Sequence, residues 1–395
     1  MTTLKVTILT TSYPLTSKST SGIFVARLID YFPSGISTTV ITPSMGKLDP
    51  CEKIDRNNIA VFRYAPGSWE ILAHRPGGIP VALRKNKLLY LLLPIFLTAM
   101  LLKCIRIARN SDVIHANWAI TGLVAGIAGW LLDRPVITTL RGEDITRAKK
   151  NFLDRSILKW CINLNSHIVA VSESIKMWVV DNIPGTDHKI TVIANGVEQK
   201  LLELNSSETE NDSEIRILTI GSLIERKGID QIIKAVASIK DKIPANLTII
   251  GMGPEKKKLE KLAKNFNMQD KVKFVGEIMP KNVLKYLSNA DMFILASHSE
   301  GRPNVILEAM ASGLPVIATD IEGSNELVSH KKTGLLFRDR NTLELANCIL
   351  ELSNNEPYRK ELSKNARKFI IDNNLLWTQT ALSYLNLYQL VLTRE

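Results

Sequence analysis

Cysteine is scarce in these 395 residues: Cys51, Cys104, Cys161 and Cys348 stand far apart, with no Cys-x-x-Cys pair. That pattern builds neither a disulfide framework nor a thiolate zinc site, and a reducing, cytosolic setting is expected. Aromatics make up only 6%, and no basic stretch is studded with them. Helix-turn-helix spacing and zinc fingers are missing too, so nucleic acid is not the expected partner. There is no Asp-x-Asp and no dense carboxylate and histidine cluster, so no metal is expected. Met1-Thr2-Thr3-Leu4-Lys5 runs straight into a strand-like Val6-Thr7-Ile8-Leu9, without the apolar core of a secretory leader. The uncharged run Leu88–Leu102, between Lys87 and Lys103, holds fifteen residues, fewer than the roughly 20 a spanning helix needs.

What is present is a two-domain length and a soluble globular composition, 45% hydrophobic and 23% charged. The charge is lopsided. Residues 1–200 carry 24 basic against 14 acidic side chains, and the remainder 26 against 25. A field confined to the first half attracts an anionic partner, such as a phosphorylated substrate or an acidic bilayer. Arg84, Lys85 and Lys87 precede Leu88–Leu102, and Lys103, Arg106 and Arg109 follow it. Basic flanks around an apolar helix suit a patch lying in the headgroup region of an anionic membrane. The same length also suits a helix buried on a sheet.

Strand-like runs alternate with helical stretches throughout, the pattern of parallel α/β architecture. In the first half strands are expected at Val6–Thr10, Thr38–Ile41, Asp112–His115, Val136–Leu140, His167–Ser172 and Lys189–Ile193. Helices are expected at Phe24–Tyr31, Leu88–Ala108, Ala119–Leu132 and Ser174–Val180. A polar, acidic linker follows over Leu201–Glu214. The second series comprises Arg216–Ile220, Leu247–Ile250, Val272–Val275, Met292–Leu295, Pro315–Ala318 and Gly334–Phe337. Leu362–Leu392 reads as helical, with Trp377, Leu382, Tyr384, Leu385 and Leu387 packing. Two doubly wound units in succession place their ligand-binding strand ends across a common cleft.

Chemistry concentrates in Ser297-His298-Ser299-Glu300-Gly301-Arg302-Pro303-Asn304-Val305-Ile306-Leu307-Glu308-Ala309-Met310-Ala311, followed by Gly313-Leu314-Pro315-Val316-Ile317-Ala318-Thr319. A strand ends near Ala296, Asn304 caps a short helix, and Gly313 closes it. Glu300 then lies on a strand-exit loop and Glu308 in the first turns of the helix. The Gly301–Val305 amides end a helix whose dipole suits phosphate. Upstream, Ile215–Ile220 runs into Gly221-Ser222-Leu223-Ile224-Glu225-Arg226-Lys227-Gly228, where Gly221 allows a sharp turn and two cations follow. Ile250-Gly251-Met252-Gly253-Pro254 lacks the third glycine of a dinucleotide fingerprint.

These motifs resemble the paired-glutamate and glycine–x–leucine–x–x–x–lysine–glycine segments of the retaining glycosyltransferases of family 4, which have the GT-B fold. The resemblance implies an α/β chain of two Rossmann-like domains facing across a cleft. Residues 1–198 would form the acceptor domain, joined by 377–395 where Trp377 starts a helix crossing back, and 199–376 the nucleotide-sugar domain. By the same resemblance Glu300 holds donor-sugar hydroxyls, Glu308 the ribose diol, and Arg226 and Lys227 the diphosphate. Gly221, Gly301, Arg302, Pro303, Asn304 and Val305 line the donor, and Gly22 lets the backbone approach it. Glu300, Arg226 and Lys227 form the catalytic set.

On the acceptor and sugar side the resemblance places His115, Arg141 and Asp144. Many relatives have histidine–glycine–x–aspartate where this chain has Arg141-Gly142-Glu143-Asp144, which exchanges a switchable ring for a fixed cation and hints at an anionic group. His115, at a strand end, is a packed histidine or a base.

The implied reaction moves a sugar from a nucleotide-diphosphate sugar to a glycan or lipid-linked acceptor, without metal or cofactor, on the cytoplasmic face of the membrane. Three rivals fit parts of the pattern. A glycoside hydrolase would use the two glutamates as acid and nucleophile. A GT-B-fold nucleotide-sugar epimerase would need no acceptor. A non-catalytic membrane- or polyanion-binding protein leaves the glutamate spacing unexplained.

Overall fold

Val136-Ile137-Thr138-Thr139-Leu140 is buried at every position, the state of a strand covered by helices on both faces. Such runs organise the computed structural model, which describes residues 3–16, 19, 21–45, 58–74, 78–204 and 214–393, except the side chains of Pro80 and Lys85. Cys51, residues 205–213 of the expected linker and the Lys85 side chain lie outside the described residues. The chain divides into two units, residues 1–195 with 377–395, and residues 196–376.

The first unit holds a parallel seven-stranded sheet. Its strands are β1 (Leu4–Leu9), β2 (Ile36–Pro43), β3 (Asn58–Phe62), β4 (Val113–Asn117), β5 (Val136–Leu140), β6 (His167–Ala170) and β7 (Ile190–Val192), in the order β3-β2-β1-β4-β5-β6-β7. The strand β3 is an addition to the expected set. The second unit repeats the plan with β8 (Ile215–Ile220), β9 (Ala245–Ile250), β10 (Val272–Gly276), β11 (Met292–Leu295), β12 (Val316–Thr319) and β13 (Gly334–Phe337), ordered β10-β9-β8-β11-β12-β13. In each sheet the strand order reverses beside the first strand, between β1 and β4 and between β8 and β11. Ligands of doubly wound sheets bind at the carboxyl ends of the strands at such a reversal.

The tail is two helices, Glu356–Asp372 and Trp377–Thr393, not one. Asn374 takes a left-handed φ of 50° between them, a conformation asparagine tolerates, and Leu376 bridges to Val197. The Trp377–Thr393 helix completes the first unit by burying Trp377, Tyr384, Leu387, Tyr388 and Val391. Leu382, expected to pack, is exposed.

The helical stretch Lys87–Ala108 runs for 22 residues and holds an 18-residue window of mean hydropathy 2.3, long and apolar enough by length and composition to cross a bilayer. The fifteen-residue uncharged run understates it because the helix continues past Lys103. Phe96, Met100, Cys104 and Ala108, each four apart, are nonetheless buried in the first unit's core. Leu91 (74% accessible), Ile95 and Leu102 stay exposed on the other side. Burial pushes the Cys104 and Cys161 thiols up to about 12 and Cys348 to about 11, so these three remain protonated.

Candidate functional site

In the second unit the loops leaving β8 and β11 bring three expected residues together. Lys227 Nζ donates to Glu300 Oε1, and Arg226 Nη1 lies 3.5 Å from Glu300 Oε2 while donating to the Ser299 carbonyl at 2.6 Å. The His298 amide donates to the Arg226 carbonyl at 2.8 Å, tying the two loops through their backbones. Lys227 and Glu300 expose only 15% and 11% of their side chains. Burial alone would raise the Glu300 carboxyl, but Lys227 and Arg226 outweigh it and hold the group below its ordinary range. The cluster lies at the ligand end of a parallel sheet.

Glycines let these loops close on one another. Gly251 adopts φ +143°, and a Cβ there would stand 1.9 Å from the Gly221 carbonyl oxygen. Gly221 itself is outside the left-handed region, with room for a Cβ 3.7 Å from Lys227. The backbone requirement therefore falls on Gly251, not on Gly221 as expected. Gly323, unflagged by the motif, passes beneath Glu300, where a Cβ would meet its carbonyl oxygen at 2.5 Å.

The helix carrying Glu308 spans Asn304–Ala311, with Pro303 as its N-cap and no side-chain cap. Asn304 is its first helical residue, which corrects the expected cap. Gly313 follows the helix with φ +77°, as a C-terminal glycine does. Glu308 is half-buried and Gly301 and Val305 are partly exposed. The Arg302 guanidinium is 8% exposed, 3.5 Å from Glu326, and its buried Nε has no partner among the described residues.

In the first unit the carboxyl ends of β1, β4 and β5 gather a second group. Gly22 caps the helix Ile23–Asp30 with φ +68°, and a Cβ there would lie 2.0 Å from the Ser12 carbonyl oxygen. Only glycine allows that crossing. Arg141 donates from Nε and Nη2 to Asn117 Oδ1, at 3.1 and 2.6 Å, and from Nη1 to Asn195 Oδ1 at 2.7 Å. Phe24 covers one face of the guanidinium, its ring centroid 4.4 Å from the central carbon. Asp144 accepts from the Ala119 amide at 2.7 Å and the Arg141 amide at 2.9 Å, stapling the loops after β4 and β5. Burial raises its carboxyl above the ordinary range despite those bonds.

His115 belongs to the core, which corrects its placement on the substrate side. It is fully buried, with Nδ1 2.7 Å from Tyr388 Oη and Nε2 2.8 Å from Thr139 Oγ1, and it stacks on Tyr384. Burial, with the Arg141 charge adding to it, lowers its pKa to about 3. A ring with both nitrogens engaged and no access to solvent cannot serve as a base. The Trp377–Thr393 helix supplies both tyrosines, a contact that no local spacing reveals. Among the described residues no group of three or more His, Cys, Asp or Glu could hold a metal ion.

Residues 22–201 match the family described as Glycosyltransferase Family 4, and residues 203–369 match Glycosyl transferases group 1. An uncharacterized glycosyltransferase of Methanocaldococcus jannaschii is 30% identical over 283 residues, covering 71% of this chain and 76% of the relative. Among solved structures, sucrose-phosphate synthase from Thermosynechococcus elongatus superposes with TM-score 0.78 at 22% identity, covering 99% of this chain and all of the other. HepE of Anabaena, solved in complex with UDP, gives TM-score 0.75 at 20% identity over 98% of this chain and all of HepE.

Proposed function

The chain belongs to glycosyltransferase family 4 and has the GT-B fold, and from that premise we propose that it moves a sugar from a nucleotide-diphosphate sugar to an acceptor hydroxyl with retention of anomeric configuration. The observation that carries this reading is the Lys227–Glu300–Arg226 cluster at the strand ends of the second unit. Cations next to a carboxylate suit a donor with anionic phosphates beside a hydroxyl-rich sugar. HepE, solved with UDP, supports a donor of that class.

In the proposed mechanism Lys227 and Arg226 take the diphosphate, and Glu300 accepts hydrogen bonds from sugar hydroxyls. Glu308 accepts from the ribose diol, a pairing that suits a carboxylate with two oxygens. Gly301 to Val305, with Arg302, Pro303 and Asn304 among them, present backbone amides to the phosphates. As the glycosidic bond to the leaving group breaks, negative charge grows on the diphosphate. Fixed cations then stabilise it more in the transition state than in the ground state, an effect of roughly 3 kcal/mol per donor. A leaving phosphate oxygen takes the acceptor proton, so no side-chain base, metal or cofactor is assigned.

The acceptor is a glycan or lipid-linked precursor, and the enzyme meets it at the cytoplasmic membrane surface. Supporting this is the outward apolar face of the Leu92–Ala108 helix, with Lys103, Arg106 and Arg109 beside it. The helix Ala119–Leu132, packed beside it, also exposes Trp130 and Leu131, and Phe152–Leu164, packed on that helix, exposes Phe152, Leu153 and Trp160. Anionic lipid attracts such a surface through its cations while the aromatics enter the headgroup layer.

The test is release of nucleoside diphosphate from a panel of nucleotide sugars, with and without acceptor, followed by NMR assignment of the product anomer. Release that requires acceptor and gives the donor's anomer supports the reading. Release without acceptor, or an inverted product, counts against it.

A further inference from the structure

The Arg141 guanidinium is fixed on three sides and forms no ion pair among the described residues. Asn117 and Asn195 contribute carbonyl oxygens, which orient the group but carry no charge, and Phe24 covers a face. Asp144, three residues along the chain, directs its two oxygens to backbone amides. Among the described residues no carboxylate lies within ion-pair distance of Arg141. Burial lowers its affinity for the proton, and the nearby Tyr384, Asp144 and Tyr388 offset that only in part. Removing a charge from water without a counter-ion is costly, so a fold that keeps one in place has a use for it.

The place is the ligand end of the sheet, where its strand order reverses. Asn117 ends β4, Arg141 follows β5, and Phe24 sits in the first turn of the helix that follows β1. Three of the five guanidinium N–H groups are engaged, which leaves one on each terminal nitrogen. With a face covered by Phe24, a ligand approaches in the plane of the fork, the geometry a carboxylate or phosphate matches. Because Asn117 Oδ1 accepts from Arg141, its amide orientation is set, and the opposite Nδ2 is buried with no partner among the described residues. That orphan donor marks the same spot as incomplete.

We infer that Arg141, held by Asn117, Asn195 and Phe24, is a specificity site for an anionic substituent, a carboxylate or phosphate, carried by the sugar donor or the acceptor and separate from the donor's diphosphate. The inference rests on the glycosyl-transfer reading.

Matched ligands differing in one charge test it: UDP-glucuronate against UDP-glucose, and octyl glucuronide against octyl glucoside in the presence of UDP. Calorimetric titration of the wild type is expected to show the acidic member of one pair binding about tenfold tighter or more, the scale of a charged hydrogen bond. Arg141→Gln removes that difference and Arg141→Lys keeps part of it, while UDP alone binds both variants as it binds the wild type. A preference in the donor pair places the anion on the donor, and one in the acceptor pair places it on the acceptor. Absence of preference in both pairs overturns the inference, as does a preference that survives in Arg141→Gln. So does an equal loss of UDP affinity, which would assign Arg141 to the diphosphate. Failure of the transfer reading is a different result: nucleoside diphosphate release that does not depend on acceptor.

Discussion

Lys227 donates to Glu300, so two residues assigned to different parts of one donor neutralise each other across the loops that follow β8 and β11. Neither side chain is more than 15% exposed. The pair is thus both a structural tie and the candidate machinery, and the two roles separate by experiment.

Replacing Lys227 with Ala leaves Glu300 buried with Arg226 as its remaining cation, and its carboxyl pKa rises. We expect a loss of about 1–3 kcal/mol in the stability of the second unit, the cost of an uncompensated buried acceptor. Adding Glu300→Gln should restore part of it. Urea unfolding of both single variants and the double variant measures the coupling. Additive losses would mean that the ion pair contributes nothing to the fold.

Turnover and donor affinity should divide between neighbours. Arg226→Ala slows turnover by about 100-fold, as loss of one transition-state donor does. Glu308→Ala weakens nucleotide-sugar binding about tenfold or more, because its partners are present in the ground state. Steady-state kinetics with calorimetry separates the two effects. Unchanged donor affinity in Glu308→Ala would remove that residue from the site.

His115 makes a pH prediction. Its folded pKa of about 3 lies below the ordinary 6.5, so between those values the unfolded chain binds the extra proton. Stability from this group is complete above about 6.5 and is lost as pH falls, at about 1.4 kcal/mol per unit until the folded pKa is reached. Urea unfolding of wild type and His115→Gln across mildly acid pH should show a shallower slope in the variant. Parallel slopes would mean that the ring stays charged inside the protein.

The proposed membrane contact distinguishes the two faces of the helical stretch Lys87–Ala108. Leu91→Asp with Ile95→Asp should abolish sedimentation with anionic vesicles and leave the unfolding midpoint nearly unchanged, since both residues are exposed. Phe96→Asp should instead unfold the first unit, because Phe96 packs on Phe62 and Tyr64 in its core. Vesicle binding that persists in the Leu91/Ile95 variant would count against the surface.

Strands buried on both faces were legible from the sequence. Val136–Leu140, Met292–Leu295 and Gly334–Phe337 match to the residue, because each is a short uncharged run that is sharply bounded. The edge strand Asn58–Phe62 was not, since most of it is only partly buried and its pattern is weak. The Phe152–Leu164 helix is not legible either. Phe152, Leu153 and Trp160 put apolar side chains on its outer face and blur the helical period. Motif spacing placed Glu300, Arg226 and Lys227 correctly at strand exits. It could not show that they pair, because that depends on β8 and β11 being neighbours across about 70 residues of chain. Of the two sequence readings of His115, packed or base, the structure bears out the packed one, and the choice depends on Tyr384 and Tyr388, far along the sequence.

The most direct measurement is a crystal structure of the protein soaked with a nucleotide-diphosphate sugar it binds. The account predicts the diphosphate against Arg226 and Lys227, the sugar on Glu300 and the ribose on Glu308, with the Lys227–Glu300 contact rearranged around the ligand. Density elsewhere in the molecule, with Lys227 still donating to Glu300 as before, would contradict it.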